Sequence, residues 1–218
     1  MLKQLTYVLT LLVMTFFLQN CKNECSHETQ NLDVSKKNIA NYYESGLYET
    51  DLDKALEPAY EVLKKSYNKN AAIIFDVDET ILSNYNYIKS INFGYESDLW
   101  NIYLKEGSAD PIDKTVQFYK KAVESGLSVI FLTARTSESC NHTYDNLISS
   151  GITVFDTLIC KGPEFEGFPS QKFKETERKL LTEAGYDIVM CIGDQNTDLA
   201  GENTGVKIKL PNKLYITN

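Results

Sequence analysis

The stretch AAIIFDVDETILSN, residues 71–84, decides how this chain is read. An unbroken apolar run from Ala71 to Phe75 meets Asp76, Asp78 and Glu79. A short continuous apolar run that ends in polar residues reads as a strand buried on both faces. Its end then carries like charges side by side, and these repel one another. Such crowding points to a compensating cation, so the strand end is a candidate site and not a plain turn.

Outward from this strand the pattern becomes regular. Leu127–Leu132, Ile152–Cys160, Ile188–Ile192 and Val206–Leu210 read as further strands. Between them, helices are predicted over Pro111–Glu124, Ser137–Ser149 and Lys172–Ala184, closed by Gly126, Gly151 and Gly185. Apolar strands alternating with helices define the α/β class, here a Rossmann-like, doubly wound parallel sheet. Upstream, Ile39, Tyr42, Tyr43 and Leu47, then Leu52, Leu56, Ala59, Tyr60 and Leu63, recur at helical spacing. They predict an N-terminal helical lead-in between Asn31 and Tyr67, interrupted at Pro58. Residues 83–110 are irregular and rich in aromatics, which predicts a small cap insertion.

Length and charge narrow the class. With 218 residues and a net charge of -8, the chain suits one domain, expected over residues 32–218, and lacks the basic face that a nucleic-acid polymer requires. Residues 1–20 carry Lys3 and then an apolar run from Leu5 to Leu18, which predicts a signal peptide and is short for a membrane span. The end of that run, Leu18-Gln19-Asn20-Cys21, resembles a bacterial lipoprotein cleavage site. The resemblance implies lipidation of Cys21 and a membrane anchor, with residues 21–31 as a polar tether. A plain secreted protein and an uncleaved anchor remain the alternatives. If Cys21 carries lipid, Cys25, Cys140, Cys160 and Cys191 are left, with three possible pairings. Cys191 sits inside DIVMCIGD and reads as a small buried hydrophobe.

In doubly wound sheets the ligand sits beyond the carboxyl ends of the strands. The residues found there are Asp76 and Asp78, then Thr133 and Arg135, then Asp194 and Asp198. Asp76 and Asp194 make a hard oxygen site of the kind Mg²⁺ prefers. A carboxylate beside Mg²⁺ stays ionised and can act as a nucleophile towards phosphorus. Asp78 is placed to protonate a leaving oxygen and then to activate water. Phosphoryl transfer also needs fixed positive charge, and Lys172 and Lys174 open the helix that follows.

Asp76-x-Asp78-x-Thr80, Thr133 after the second strand, a lysine before the last motif, and Gly193-Asp194-x-x-x-Asp198 resemble the four motifs of the haloacid dehalogenase (HAD) superfamily, in order. FDVDETILSN, FLTARTSES, KFKETERK, EAGYDI and GDQNTDLAG narrow the resemblance to acid phosphatases of the class C bacterial lipoprotein and plant vegetative storage protein group. That resemblance implies Asp76 as nucleophile and metal ligand. Asp78 would be the acid/base and would hold the metal through its backbone carbonyl. Thr133 and Lys174 would hold the transferred phosphoryl group, Asp194 would be the second carboxylate on Mg²⁺, and Asp198 and Arg135 would support them. Ala134 stands where relatives often carry Gly or Asn.

The expected activity is therefore Mg²⁺-dependent hydrolysis of phosphomonoesters, 5′-nucleotides among the candidates, outside the cytoplasm. Two rivals share the fold: a catalytically silent storage-type protein, and a phosphotransferase that passes phosphate to an alcohol. The aromatic insertion has a plain reading as a packed cap edge. Its functional reading is a wall that stacks a nucleobase or aryl group, with Tyr87, Phe93 and Trp100 as candidate substrate contacts.

Overall fold

The computed structural model describes residues 30–107 and 109–217. The expected signal peptide, Cys21 and the tether up to residue 29 lie outside the described residues. Among the described residues, no helix is long and apolar enough to cross a membrane.

Strands β1 (Ala71–Phe75), β4 (Ser128–Thr136), β5 (Thr157–Lys161), β6 (Asp187–Gly193) and β7 (Val206–Lys209) form one sheet in the order β5-β4-β1-β6-β7. All four of its pairings are parallel. Every residue of β1 is buried, as a central strand with both faces covered requires. Ile73 and Phe75 point to one face with Val129, Phe131, Met190 and Ile192. There they pack on α2 (Leu47–Leu63) through Leu52 and Leu56, and on α5 (Asp113–Glu124) through Phe118 and Ala122. Ala72 and Ile74 point to the other face with Ile130, Leu132 and Cys191, against Phe173 and Leu181 of α7 (Ser170–Glu183). The period-two alternation of the strands thus builds two cores. The described residues from Lys36 onward form one compact unit around them.

The chain winds from β1 outward through β4 to β5, then returns to the other side of β1 for β6 and β7. The β1/β6 pair is therefore the switch point of the sheet, where a crevice opens beyond the strand ends. Asp76 and Asp194 are the first residues past β1 and β6.

Several expectations need adjustment. The lead-in is two helices, α1 (Leu32–Glu44) and α2, separated at Gly46, whose φ of 85° only glycine adopts freely. Helix α2 runs on through Pro58. Pro111 does not open a helix; it pairs with Leu82 in a short antiparallel ladder, and α5 begins at Asp113. The predicted strand Ile152–Cys160 is shorter and shifted, occupying Thr157–Lys161. Before it, the Tyr119 hydroxyl accepts from the Val154 amide at 2.8 Å and donates to its carbonyl at 2.9 Å, in place of ladder bonds. Strand β4 extends to Thr136, and its register on β5 shifts between Thr133 and Thr136. This irregularity lies beside the site, where bulges re-aim side chains.

The insertion leaves the sheet through β2 (Leu82–Ser83) and returns through β3 (Asp110–Pro111), which pair with each other. Between them stand α3 (Tyr85–Ser90) and α4 (Ser97–Glu106). A disulfide joins Cys140, at the start of α6 (Cys140–Ser149), to Cys160 of β5. Cys191 is a buried free thiol, as its apolar run predicts.

Candidate active site

Asp76, Asp194 and Asp198 each direct a carboxylate oxygen to one point, with these atoms within 4.8 Å of one another. All three are buried. Lys174 reaches the cluster from α7, donating to Asp76 Oδ1 and to Asp198 Oδ1 at 2.5 Å each. Lys172, its alternative in the sequence, is exposed. Asp198 Oδ2 accepts the Gln195 amide at 2.7 Å, so both of its oxygens are held by donors. Gly193 makes this possible, because a Cβ there would collide with the Asp198 side chain.

Three carboxylates face one ammonium, and the protonation tendencies follow. Burial pushes Asp76 well above the ordinary carboxylate range; Lys174 opposes this, and Asp198, Asp194 and Asp78 add to it. Burial and then Asp198 push Asp194 up to about 6. Burial works to lower Lys174, and Asp198 and Asp76 outweigh it, holding the ammonium charged. A hard divalent cation fits this set: it supplies the missing positive charge, and the donors present are oxygens.

Asp78 sits two residues from Asp76 in a different environment. Arg135 Nε donates to both of its oxygens at 3.1 Å, and a terminal guanidinium nitrogen donates to Oδ1 at 2.7 Å. Asn84 Nδ2 adds a fourth bond at 2.7 Å. Burial works against the charge, but Arg135 and then Asn84 outweigh it and hold Asp78 below the usual carboxylate range. Its carboxylate is thus turned away from the Asp76 cluster and towards the insertion. Arg135 is itself steadied by Thr143 Oγ1 of α6 at 3.2 Å. Thr133 is fully buried, and its hydroxyl accepts the Arg135 amide at 3.1 Å.

Sequence reasoning passed over several residues here. Glu79 adopts a left-handed backbone at φ 51°, a strained conformation for a residue with a Cβ. Its buried carboxylate accepts the Asn84 amide at 2.6 Å, the Asn84 side chain at 3.1 Å and the Tyr215 hydroxyl. Burial and then Asp78 push Glu79 up to about 8. Asp194 Oδ2 is held by Gln195 Nε2 at 2.5 Å and by Asn212 Nδ2 at 2.6 Å. Glu79 and Asn84 belong to the opening stretch and were open to suspicion there. Asn212 and Tyr215 carry no local signal, because only the fold brings them in.

Tyr87, Phe93 and Trp100 line one cavity of about 560 Å³ with Asp78, Arg135 and Leu214–Thr217. Tyr87 and Trp100 also pack on Tyr103, Tyr87 stacking on it at 4.1 Å between centroids. They therefore serve the packed edge and the cavity wall at once. Phe93 is held at φ 56°, an outlier for a bulky side chain.

With this geometry in view, comparison with known proteins places the chain. Residues 12–218 match the family described as HAD superfamily, subfamily IIIB (Acid phosphatase). The chain belongs to this family. This subfamily IIIB chain is 36% identical over 148 residues to the stem 28 kDa glycoprotein of Glycine max, covering 65% of itself and 58% of that protein. It thus spans under two thirds of that relative's length. It is 32% identical over 213 residues to vegetative storage protein 2 of Arabidopsis thaliana, covering 90% of itself and 80% of the relative. It is 30% identical over 178 residues to acid phosphatase 1 of Solanum lycopersicum, with coverages of 77% and 69%. Its fold matches the class C acid phosphatase of Bacillus anthracis with a TM-score of 0.70, at 19% identity, over 85% of this chain and 86% of that one.

Proposed function

We propose that this chain hydrolyses phosphomonoesters through a phosphorylated Asp76. The observation that supports this most is the divergence of two carboxylates two residues apart. Asp76 faces Lys174 and the carboxylate cluster, whereas Asp78 faces Arg135, Asn84 and the open cavity. In the first step an Asp76 oxygen forms a bond to phosphorus as the ester P–O bond breaks. Asp78, held ionised by Arg135 and Asn84, takes a proton from the incoming phosphate monoanion and passes it to the departing oxygen. In the second step water attacks phosphorus, the Asp76–phosphorus bond breaks, and Asp78 takes the proton from the water. Lys174 and Thr133 hold the phosphoryl oxygens, and Asp198 keeps Lys174 aimed at Asp76.

Mg²⁺ is the cation we assign to Asp76, the Asp78 backbone carbonyl and Asp194, where it would neutralise the carboxylates and the incoming phosphate. Asn212 and Gln195 orient Asp194 for that task. Residues 1–20 act as a leader and Cys21 as a lipid anchor to a bacterial membrane. The Cys140–Cys160 disulfide supports export, since such bonds persist in oxidising compartments.

The test is phosphate release from p-nitrophenyl phosphate and from a 5′-nucleotide, with Mg²⁺ or EDTA, beside Asp76→Asn. Turnover that requires Mg²⁺ and disappears in the variant supports the proposal. Absence of turnover in folded, metal-loaded protein from acid to neutral pH replaces it with the non-catalytic reading.

A further inference from the structure

The segment after β7, Pro211–Thr217, adds nothing to the sheet, yet it is pinned to the site at several points. Asn212 donates to Asp194, and the Lys213 amide donates to the Tyr43 hydroxyl at 3.2 Å. Gln195 clamps the segment with both ends of its side chain, donating to the Tyr215 carbonyl at 3.4 Å and accepting the Thr217 amide at 3.1 Å. Between these points the Tyr215 hydroxyl donates to Glu79 Oε2. The same Glu79 carboxylate holds the Asn84 amide, and the Asn84 side chain donates to Asp78. A continuous path of hydrogen bonds thus runs from Tyr215 through Glu79 and Asn84 to Asp78.

The residues on either side of Tyr215 line the cavity that Asp78 faces. Leu214 and Ile216 share it with Tyr87, Phe93, Tyr95 and Trp100. Ile216 and Tyr95 are 88% and 76% exposed, so two large apolar side chains are left wet at one cavity. A ligand with a sizeable apolar body would cover both, whereas a small polar one would reach neither.

We propose that Leu214–Thr217 is a specificity strap for this site: Leu214 and Ile216 contact the leaving group of the phosphomonoester, and Tyr215 is a positioning residue that fixes Asp78 against that group through Glu79 and Asn84. This rests on the phosphatase reading above. Phosphate esters with a bulky apolar leaving group are favoured over small polar ones, and the preference resides in the strap as well as in the insertion.

The experiment compares 2-naphthyl phosphate with glycerol phosphate in the full chain and in Ile216→Ala, Leu214→Ala and Tyr215→Phe. The strap predicts that either alanine variant lowers the naphthyl-to-glycerol ratio of kcat/KM roughly tenfold, mainly through KM. Tyr215→Phe lowers kcat for both esters by roughly 10- to 100-fold, as lost supporting contacts do. Its effect is not additive with that of Glu79→Gln. A ratio that Ile216→Ala leaves unmoved overturns the specificity role, and exposure of Ile216 means that this variant folds. A Tyr215→Phe effect confined to KM, or additive with Glu79→Gln, overturns the positioning role. A second readout does not need turnover. Trp100 is the only tryptophan of the chain and lines the cavity, so a naphthyl phosphonate quenches its emission. Ile216→Ala weakens that binding roughly tenfold if the strap is right. If no ester is turned over but this weakening is seen, the phosphatase reading fails while the strap stands as a binding element.

Discussion

The carboxylate cluster and the aromatic cavity lie on the two sides of Asp78 and are built in opposite ways. In the cluster, Asp76, Asp194, Asp198 and Lys174 are buried and held by short charged hydrogen bonds. Its energy is electrostatic, and it is left with excess negative charge. The cavity is walled by aromatic and aliphatic side chains, some of them wet. Its energy is apolar contact, and what it leaves unmet is hydrocarbon surface. The cluster therefore calls for a cation, whereas the cavity calls for an apolar body. Under the proposed phosphatase reading, reaction type and substrate choice are separable, with Asp78 as the seam.

The sharpest break would come at Asp76. Asp76→Asn is expected to lower turnover roughly 10⁴-fold or more while the cavity still binds an aryl phosphonate, read from Trp100 emission. Next, Lys174→Met leaves buried carboxylates without their partner. It should cost about 3–5 kcal/mol and lower Tm by roughly 10 °C in the metal-free protein, followed by thermal unfolding. Added Mg²⁺ should restore part of that loss; a Tm that barely moves would show that the cluster is not the electrostatic unit described here. Replacing Cys140 and Cys160 together by Ser should cost about 3 kcal/mol in denaturant unfolding, by freeing the loop that the disulfide closes. Trp100→Ala, on the cavity side, should cost only about 1 kcal/mol of stability and raise KM for aryl esters more than it lowers kcat. The smallest effect concerns Cys191, whose thiol burial pushes up to about 12. It should resist iodoacetamide at pH 8 in the folded protein and react once unfolded, as peptide mapping would report.

Much of the cluster was legible because its parts are close in sequence or sit at strand ends. Asp76 and Asp78 follow one apolar run, and Gly193, Asp194 and Asp198 follow another. Parallel-sheet topology does the rest by bringing those ends to one rim. Lys174 is different: it reaches in from α7, 98 residues from Asp76, and only the resemblance to the family's motifs separated it from Lys172. The environment of Asp78 was less legible, since Arg135 is aimed by a register shift between β4 and β5 that no periodicity announces. Tyr215 and Asn212 were invisible: their partners, Glu79 and Asp194, lie 136 and 18 residues away. The strand before Cys160 was misplaced because a tyrosine hydroxyl, not a ladder, satisfies Val154.

The ladder of Leu82–Ser83 with Asp110–Pro111 has a consequence for how this protein can change. The chain departs and re-enters at a single doorway two residue pairs wide. The segment between is tied back at its ends and its base: Asn84 holds Asp78 and Glu79, Asn146 of α6 holds both backbone groups of Ala109, and Tyr85 and Tyr103 pack into the main core. What is left to vary is the face turned to the cavity. A library confined to Tyr95 and Trp100, on that face, would vary the wall of the cavity while leaving the contacts that hold Asp78 as they are.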